Sequence, residues 1–199
     1  MAMVRLAAAA LAAGLAAAPA AAEEQTTYHH LEVTVPGVPT CRAGMLLNLP
    51  PSWETGNGAV VLLTLGQPDT ARDVLVSALL YERAAVLELV PPACSGRAGR
   101  EVVVGAAIGA LDAVTRTAGA GMVVAIAHGP GSAAVLDVVR EPPGSGRDAE
   151  GARYAAAVAM GDGAPAFALG APRAPQEDAP ARLALLCRAL AGIAGGIGL

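Results

Sequence analysis

Met122-Val123-Val124-Ala125-Ile126-Ala127 is an unbroken apolar run, His128-Gly129-Pro130-Gly131 follows it, and Ser132-Ala133-Ala134-Val135-Leu136 resumes an apolar pattern. A run of this kind, with several β-branched residues, belongs to a strand buried on both faces. Two glycines flanking a proline make a sharp turn with almost no side-chain bulk. The pattern from Ser132 to Arg140 reads as a helix. A doubly buried strand that turns directly into a helix needs a sheet covered on both sides. That requirement restricts the chain to an α/β architecture.

The remainder of the chain fits the same architecture. Leu31 to Val35 alternates apolar and polar residues, and Ala43 to Leu49 reads as a second strand ended by Pro50-Pro51, so the pair predicts an antiparallel hairpin. Ala59 to Leu65 is another doubly buried run. Asp69 or Thr70 can cap the helix after it, in which Val74, Leu75, Ala78, Leu79 and Ala85 recur at helical spacing. A short strand is expected from Ala85 to Val90, and an amphipathic helix from Gly99 to Ala118 ended by Gly119-Ala120-Gly121. Tyr154 to Met160 and Ala166 to Leu169 complete the strands, and Ala179 to Ala191 reads as a last helix. Strands alternating with helices imply a mostly parallel sheet with helices on both faces.

Composition excludes some functions and sets a location. The formal net charge is −4, which offers no basic footprint for nucleic acid. Aromatic residues are 3% of the chain, too few for stacking platforms. All basic residues are arginine. Arg5, an Ala/Leu run, Pro19 and Ala20-Ala21-Ala22 before Glu23 describe a secretory signal peptide over residues 1–22, leaving 23–199 as one domain. The run is short for a membrane span, which needs about 20 apolar residues, so no span is expected after signal removal. The expected location is periplasmic or secreted. The spacing of Cys41, Cys94 and Cys187 fits no zinc pattern, and adjacent His29 and His30 would point to opposite strand faces, as a solvated tail rather than a chelate. No cofactor and no metal is called for.

The turn between strand and helix resembles the nucleophile elbow of the α/β-hydrolase superfamily, G-x-S-x-G. Aligned on it, Ala127, His128, Gly129, Pro130 and Gly131 fill the five positions. The resemblance covers nearly all of 23–199 and is nearest in length to small dienelactone-hydrolase-like and lipase-like members. It implies an N-terminal antiparallel hairpin, then parallel strands, with Met122 to Ala127 as the fifth strand. It also implies a serine nucleophile, an acid and a late histidine. Here Gly129 stands at the nucleophile position, no histidine follows His128, and Glu177 or Asp178 falls in the region of the acid. The chain reads as C-terminally short for the family.

Three other residues are candidates for the missing chemistry. Ser132 suits the first turn of the helix, where a hydroxyl can satisfy a free N–H. His128 precedes the nucleophile slot as supporting structure. Asp162, between Gly161 and Gly163, suits a tight turn. Ser132, His128 and Asp178 are the candidates for a triad. Pro130 removes a backbone donor from the turn. In the fold this chain resembles, the second strand lies antiparallel beside the fourth, which places Cys41 and Cys94 at one sheet edge and implies a disulfide between them, with Cys187 free. The expected function is a non-catalytic protein that binds a small apolar ligand or a protein partner; the alternative is an esterase-like serine hydrolase using Ser132.

Overall fold

A computed structural model describes residues 26–35, 41–92, 99–140, 152–161 and 165–170. The expected signal segment and the expected helix from Ala179 to Ala191 lie outside these residues. The strands are β1 (Thr27–Thr34), β2 (Arg42–Leu49), β3 (Gly58–Thr64), β4 (Ala85–Leu89), β5 (Met122–His128), β6 (Tyr154–Met160) and β7 (Ala166–Leu169). Two α-helices, α1 (Thr70–Tyr81) and α2 (Gly99–Ala118), and a 3-10 helix (Ser132–Val139) connect them.

The seven strands form one sheet in the order β1-β2-β4-β3-β5-β6-β7. β3, β4, β5 and β6 run parallel, while β1 pairs antiparallel with β2, β2 with β4, and β6 with β7. The antiparallel entry hairpin, the swap of β3 and β4, and the tight turn after β5 make this an α/β-hydrolase-like fold. β7 returns antiparallel because only a few residues separate it from β6. A parallel return needs a crossover of a dozen or more.

Side-chain alternation divides the core between the two faces. Val60, Leu62, Val86, Val124, Ile126 and Val158 pack with Leu75 and Leu79 of α1 on one face. Val61, Leu63, Leu87 and Ala125 pack with Ala106, Ala110 and Val114 of α2 on the other, where Val135 of the 3-10 helix also sits. α2 lies close to the sheet because Gly105, Ala106, Gly109 and Ala110 are buried there with little or no side chain. The Trp53 indole N–H donates to the Ala118 carbonyl at 3.1 Å and closes the C-terminus of α2. Gly119, at φ +65, then turns the chain out of the helix.

The helix expected after the elbow forms as a 3-10 helix over Ser132–Val139. Its N-cap is Gly131 in the left-handed region with no side-chain cap bond. Pro130 and three β-branched valines add nothing to favour the wider helix. His29 and His30 are not in a tail: they lie in β1, paired with Leu47 and Leu46 of β2, because hydrogen bonding to β2 orders the chain well ahead of Leu31.

Candidate functional site

The elbow forms where β5 ends. His128 is the last residue of the strand, and Gly129 follows with φ +107, a conformation that L side chains rarely adopt. The Gly129 N–H donates to the Met160 carbonyl at the end of β6, at 2.8 Å. The β3–α1 connection crosses directly above. A Cβ on Gly129 would overlap the carbonyl oxygen of Leu65. The space that a nucleophilic side chain would need is filled by backbone of another segment.

The donors of an oxyanion site are also committed or absent. In the hydrolase arrangement one donor is the N–H after the nucleophile and another comes from the loop after β3. Here the residue after Gly129 is Pro130, which has no N–H. The Leu65 N–H donates to the His128 carbonyl at 2.7 Å. The turn therefore aims a carbonyl oxygen, not donors, at the nucleophile position.

The sequence candidates are placed as follows. Ser132 opens the 3-10 helix and is 3% exposed. Its N–H donates to the Gly129 carbonyl at 3.2 Å, and its Oγ packs against Gly161 just past β6. It does not cap the helix through its side chain. His128 Nε2 donates to the Asp69 carboxylate, at 3.0 Å to Oδ2 and 3.2 Å to Oδ1. Its Nδ1 is buried without a hydrogen-bond partner among the described residues. The histidine thus faces α1 and spends the nitrogen that would serve a nucleophile on an acid. Asp162, Glu177, Asp178, Cys94 and Cys187 lie outside the described residues. Among the described residues no group of three His, Cys, Asp or Glu can hold a metal ion, and no helix is long and apolar enough to cross a membrane.

Asp69, expected from the sequence only to cap α1, is also tied to the elbow through His128. It does cap α1, accepting from the Arg72 N–H at 2.9 Å. The hydrogen bond from His128, and then that from Arg72, hold its carboxyl below its ordinary range. Beyond it, Arg72 reaches the Glu88 carboxylate in β4, and Asn48 Nδ2 of β2 donates to Glu88 Oε1 at 2.6 Å and to the Val86 carbonyl at 3.1 Å. These residues were missed because each is ordinary in its own segment. The available signal was a lone Glu inside the apolar run Ala85 to Leu89, since a buried charge needs a partner.

Beside the elbow, on the α2 face, lies a cleft of about 530 Å3. Leu65, Val103, Pro130, Gly131 and Ala134 line it, and Arg100 of α2 closes one side by pairing with Asp137 of the 3-10 helix at 2.8 Å.

No protein-family model and no curated protein sequence matches the chain. Solved structures do resemble it. A dienelactone hydrolase from Anabaena variabilis ATCC 29413 aligns at 16% identity and a TM-score of 0.46, over 59% of this chain and 59% of its own. An esterase from Pyrococcus furiosus aligns at 12% identity and 0.47, over 58% of this chain and 45% of its own. An α/β serine hydrolase without lid from Xanthomonas campestris aligns at 13% identity and 0.43, over 65% of this chain and 68% of its own. The chain spans about half the length of the hydrolases it matches. The resemblance is one of fold. Strand order and the turn after β5 make the fold α/β-hydrolase-like.

Proposed function

We propose that this chain is a non-catalytic binding protein on an α/β-hydrolase scaffold, taking a small apolar ligand in the cleft beside the elbow. One observation carries the reading: the Leu65 carbonyl occupies the position of a nucleophile's Cβ at Gly129. A missing serine could be a single substitution away from activity. An occupied slot, a proline in place of one oxyanion donor and a Leu65 N–H already bonded to His128 require the β3–α1 connection to be rebuilt. Acyl transfer needs a nucleophile, a base within reach and stabilisation of the oxyanion together.

The competing reading is a serine hydrolase built on Ser132. The His128–Asp69 pair favours it, because a histidine held by an acid is two-thirds of a triad. The burial of Ser132 and the direction of His128 Nε2 weigh against it. Purified protein is expected to hydrolyse short-chain nitrophenyl esters no faster than the buffer blank, and a fluorophosphonate probe is expected to leave Ser132 unlabelled. Labelling at Ser132, with turnover lost in Ser132→Ala, would establish the hydrolase instead.

We also propose export with cleavage after Ala22, on the arrangement of Arg5, the Ala/Leu run and Ala20-Ala21-Ala22. A Cys41–Cys94 disulfide goes with it. The β2–β4 register carries the chain before β2 and the chain after β4 toward the same sheet edge. Cys41 is 4% exposed, just ahead of β2.

A further inference from the structure

The sheet ends on β1 at one side and on β7 at the other. An outermost strand presents a row of unpaired N–H and C=O groups, and charge, proline or a bulge ordinarily blunts it. β1 is blunted by His29, His30 and Glu32, all exposed, with Glu32 paired to Arg42 of β2 at 3.6 Å. β7 has no such guard. Its residues Ala166-Phe167-Ala168-Leu169 carry no charge and pair with β6 without a register shift, and Phe167 and Leu169 are 67% and 60% exposed. A flat, apolar, open edge is a template for a further strand.

The pairing with β6 fixes what that edge offers. Phe167 lies opposite Val158 and Leu169 opposite Ala156. Both partners belong to the α1 face of the core, so the two exposed side chains extend that face. The Gly170 N–H donates to the Ala155 carbonyl at 2.9 Å. Hydrogen-bonded pairs alternate along an antiparallel ladder. Ala166 and Ala168 therefore turn their backbone groups toward β6, and Phe167 and Leu169 turn theirs outward. Among the described residues no strand receives them.

We propose that β7 pairs antiparallel with β7 of a second copy of this chain, about a two-fold axis normal to the sheet, so that one sheet runs through both copies. A two-fold interface is self-complementary, and cross-strand partners share a face. Phe167 must then stand opposite Phe167 or Leu169 of the partner subunit. The first register sets Leu169 opposite Pro165 of the partner subunit, which has no N–H to donate. The second sets Phe167 opposite Leu169 of the partner subunit on both sides of the axis, with Ala168 opposite Ala168 of the partner subunit. Every outward N–H of Phe167 and Leu169 then meets an outward carbonyl, and each ring packs on a leucine. The contact is small, below the ~1,200 Å2 of standard interfaces, which corresponds to a Kd of about 10–100 μM.

Sedimentation equilibrium of the purified full chain from about 1 μM to about 1 mM tests this. The mass should rise from monomer to dimer across that range. Lysine opposes edge pairing, so Phe167→Lys and Leu169→Lys should each weaken association about tenfold or more. Both side chains are exposed, so the circular dichroism should be unchanged, and either variant serves if the other fails to fold. Ala168→Cys reads the register. Opposed residues of a non-hydrogen-bonded pair have Cα atoms about 4.5 Å apart, within reach of a disulfide. Oxidised glutathione should therefore trap a covalent dimer linked at residue 168, identified by mass spectrometry of the linked peptide. A protein monomeric throughout, a dimer that both lysine variants leave intact, or a dimer with no bridge at residue 168 would overturn the proposal. Slow hydrogen exchange at the Phe167 and Leu169 amides of a monomer would overturn it too, by assigning the cover of the strand to the chain's own residues.

Discussion

At position 129 two demands coincide, a positive φ and the close passage of the Leu65 carbonyl, and only a residue without a side chain meets both. Gly129→Ser is therefore expected to cost about 3 kcal/mol or more, read as a lowered urea midpoint, and to leave ester hydrolysis at the blank. A stable, esterolytic Gly129→Ser protein would show that the β3–α1 connection yields easily and that the slot is open. Asp69 gives a second test. Its carboxyl is held below the ordinary range by His128 first and Arg72 second. The unfolded chain therefore takes up the proton more readily than the folded one. The stabilisation is complete above the unfolded value of about 4 and is lost as pH falls through the lower, folded value. The urea midpoint of the parent should fall more steeply than that of Asp69→Asn below about pH 4. Asp69 is 53% exposed, so the difference should be modest and shrink with added salt. Parallel pH profiles for the two proteins would remove His128 as the cause.

The helices owe their ends to residues distant in sequence. α1 begins on the side chain of Asp69, and the same carboxylate is fastened to β5 through His128. α2 ends against Trp53, which lies before β3. Trp53→Phe keeps most of the ring's packing and removes the indole N–H, so it should lower stability by about 1 kcal/mol. Chemical denaturation followed by circular dichroism checks this, because Trp53 is the single tryptophan of the chain and its fluorescence is lost with the substitution. No change in midpoint would mean that the Ala118 carbonyl finds another partner. Tyr154 ties β6 to the middle of α2 in the same manner, its hydroxyl donating to the Ala107 carbonyl at 2.5 Å.

For the molecule as a whole, the sheet order places the α2-face cleft beside the elbow, at the ends of β3 and β5. In an open α/β sheet the ends of the parallel strands are where ligands gather. In this chain the Leu65 carbonyl crosses that end of the sheet at Gly129. Export and the disulfide belong to this scale too, since oxidation requires an exported chain. Mass spectrometry of native protein is expected to find Glu23 at the N-terminus, and thiol titration of the unfolded, unreduced protein to count one free thiol. A count of three, or a native protein that retains Met1, would remove the proposed bridge or the proposed export respectively.

Much of the fold was legible along the chain because it is written in short-range patterns. Period-two and unbroken apolar runs placed the strands to within a few residues, Asp69 and Gly119 marked helix ends, and the turn after Ala127 pointed to the hydrolase-like architecture. The 3-10 helix was not legible, since its apolar spacing over eight residues is compatible with either helix. Nor was the condition of the site. Glycine at 129 declares that a side chain is absent. That a Cβ would collide with Leu65 depends on a second segment 64 residues earlier in the chain. The pairing of His128 with Asp69 and of Glu88 with Arg72 and Asn48 likewise joins residues brought together only by β2, β4, β3 and β5 lying side by side. Periodicity reports which face of an element is buried. Which particular atoms meet there is decided by sheet order and register, and those are properties of the folded molecule.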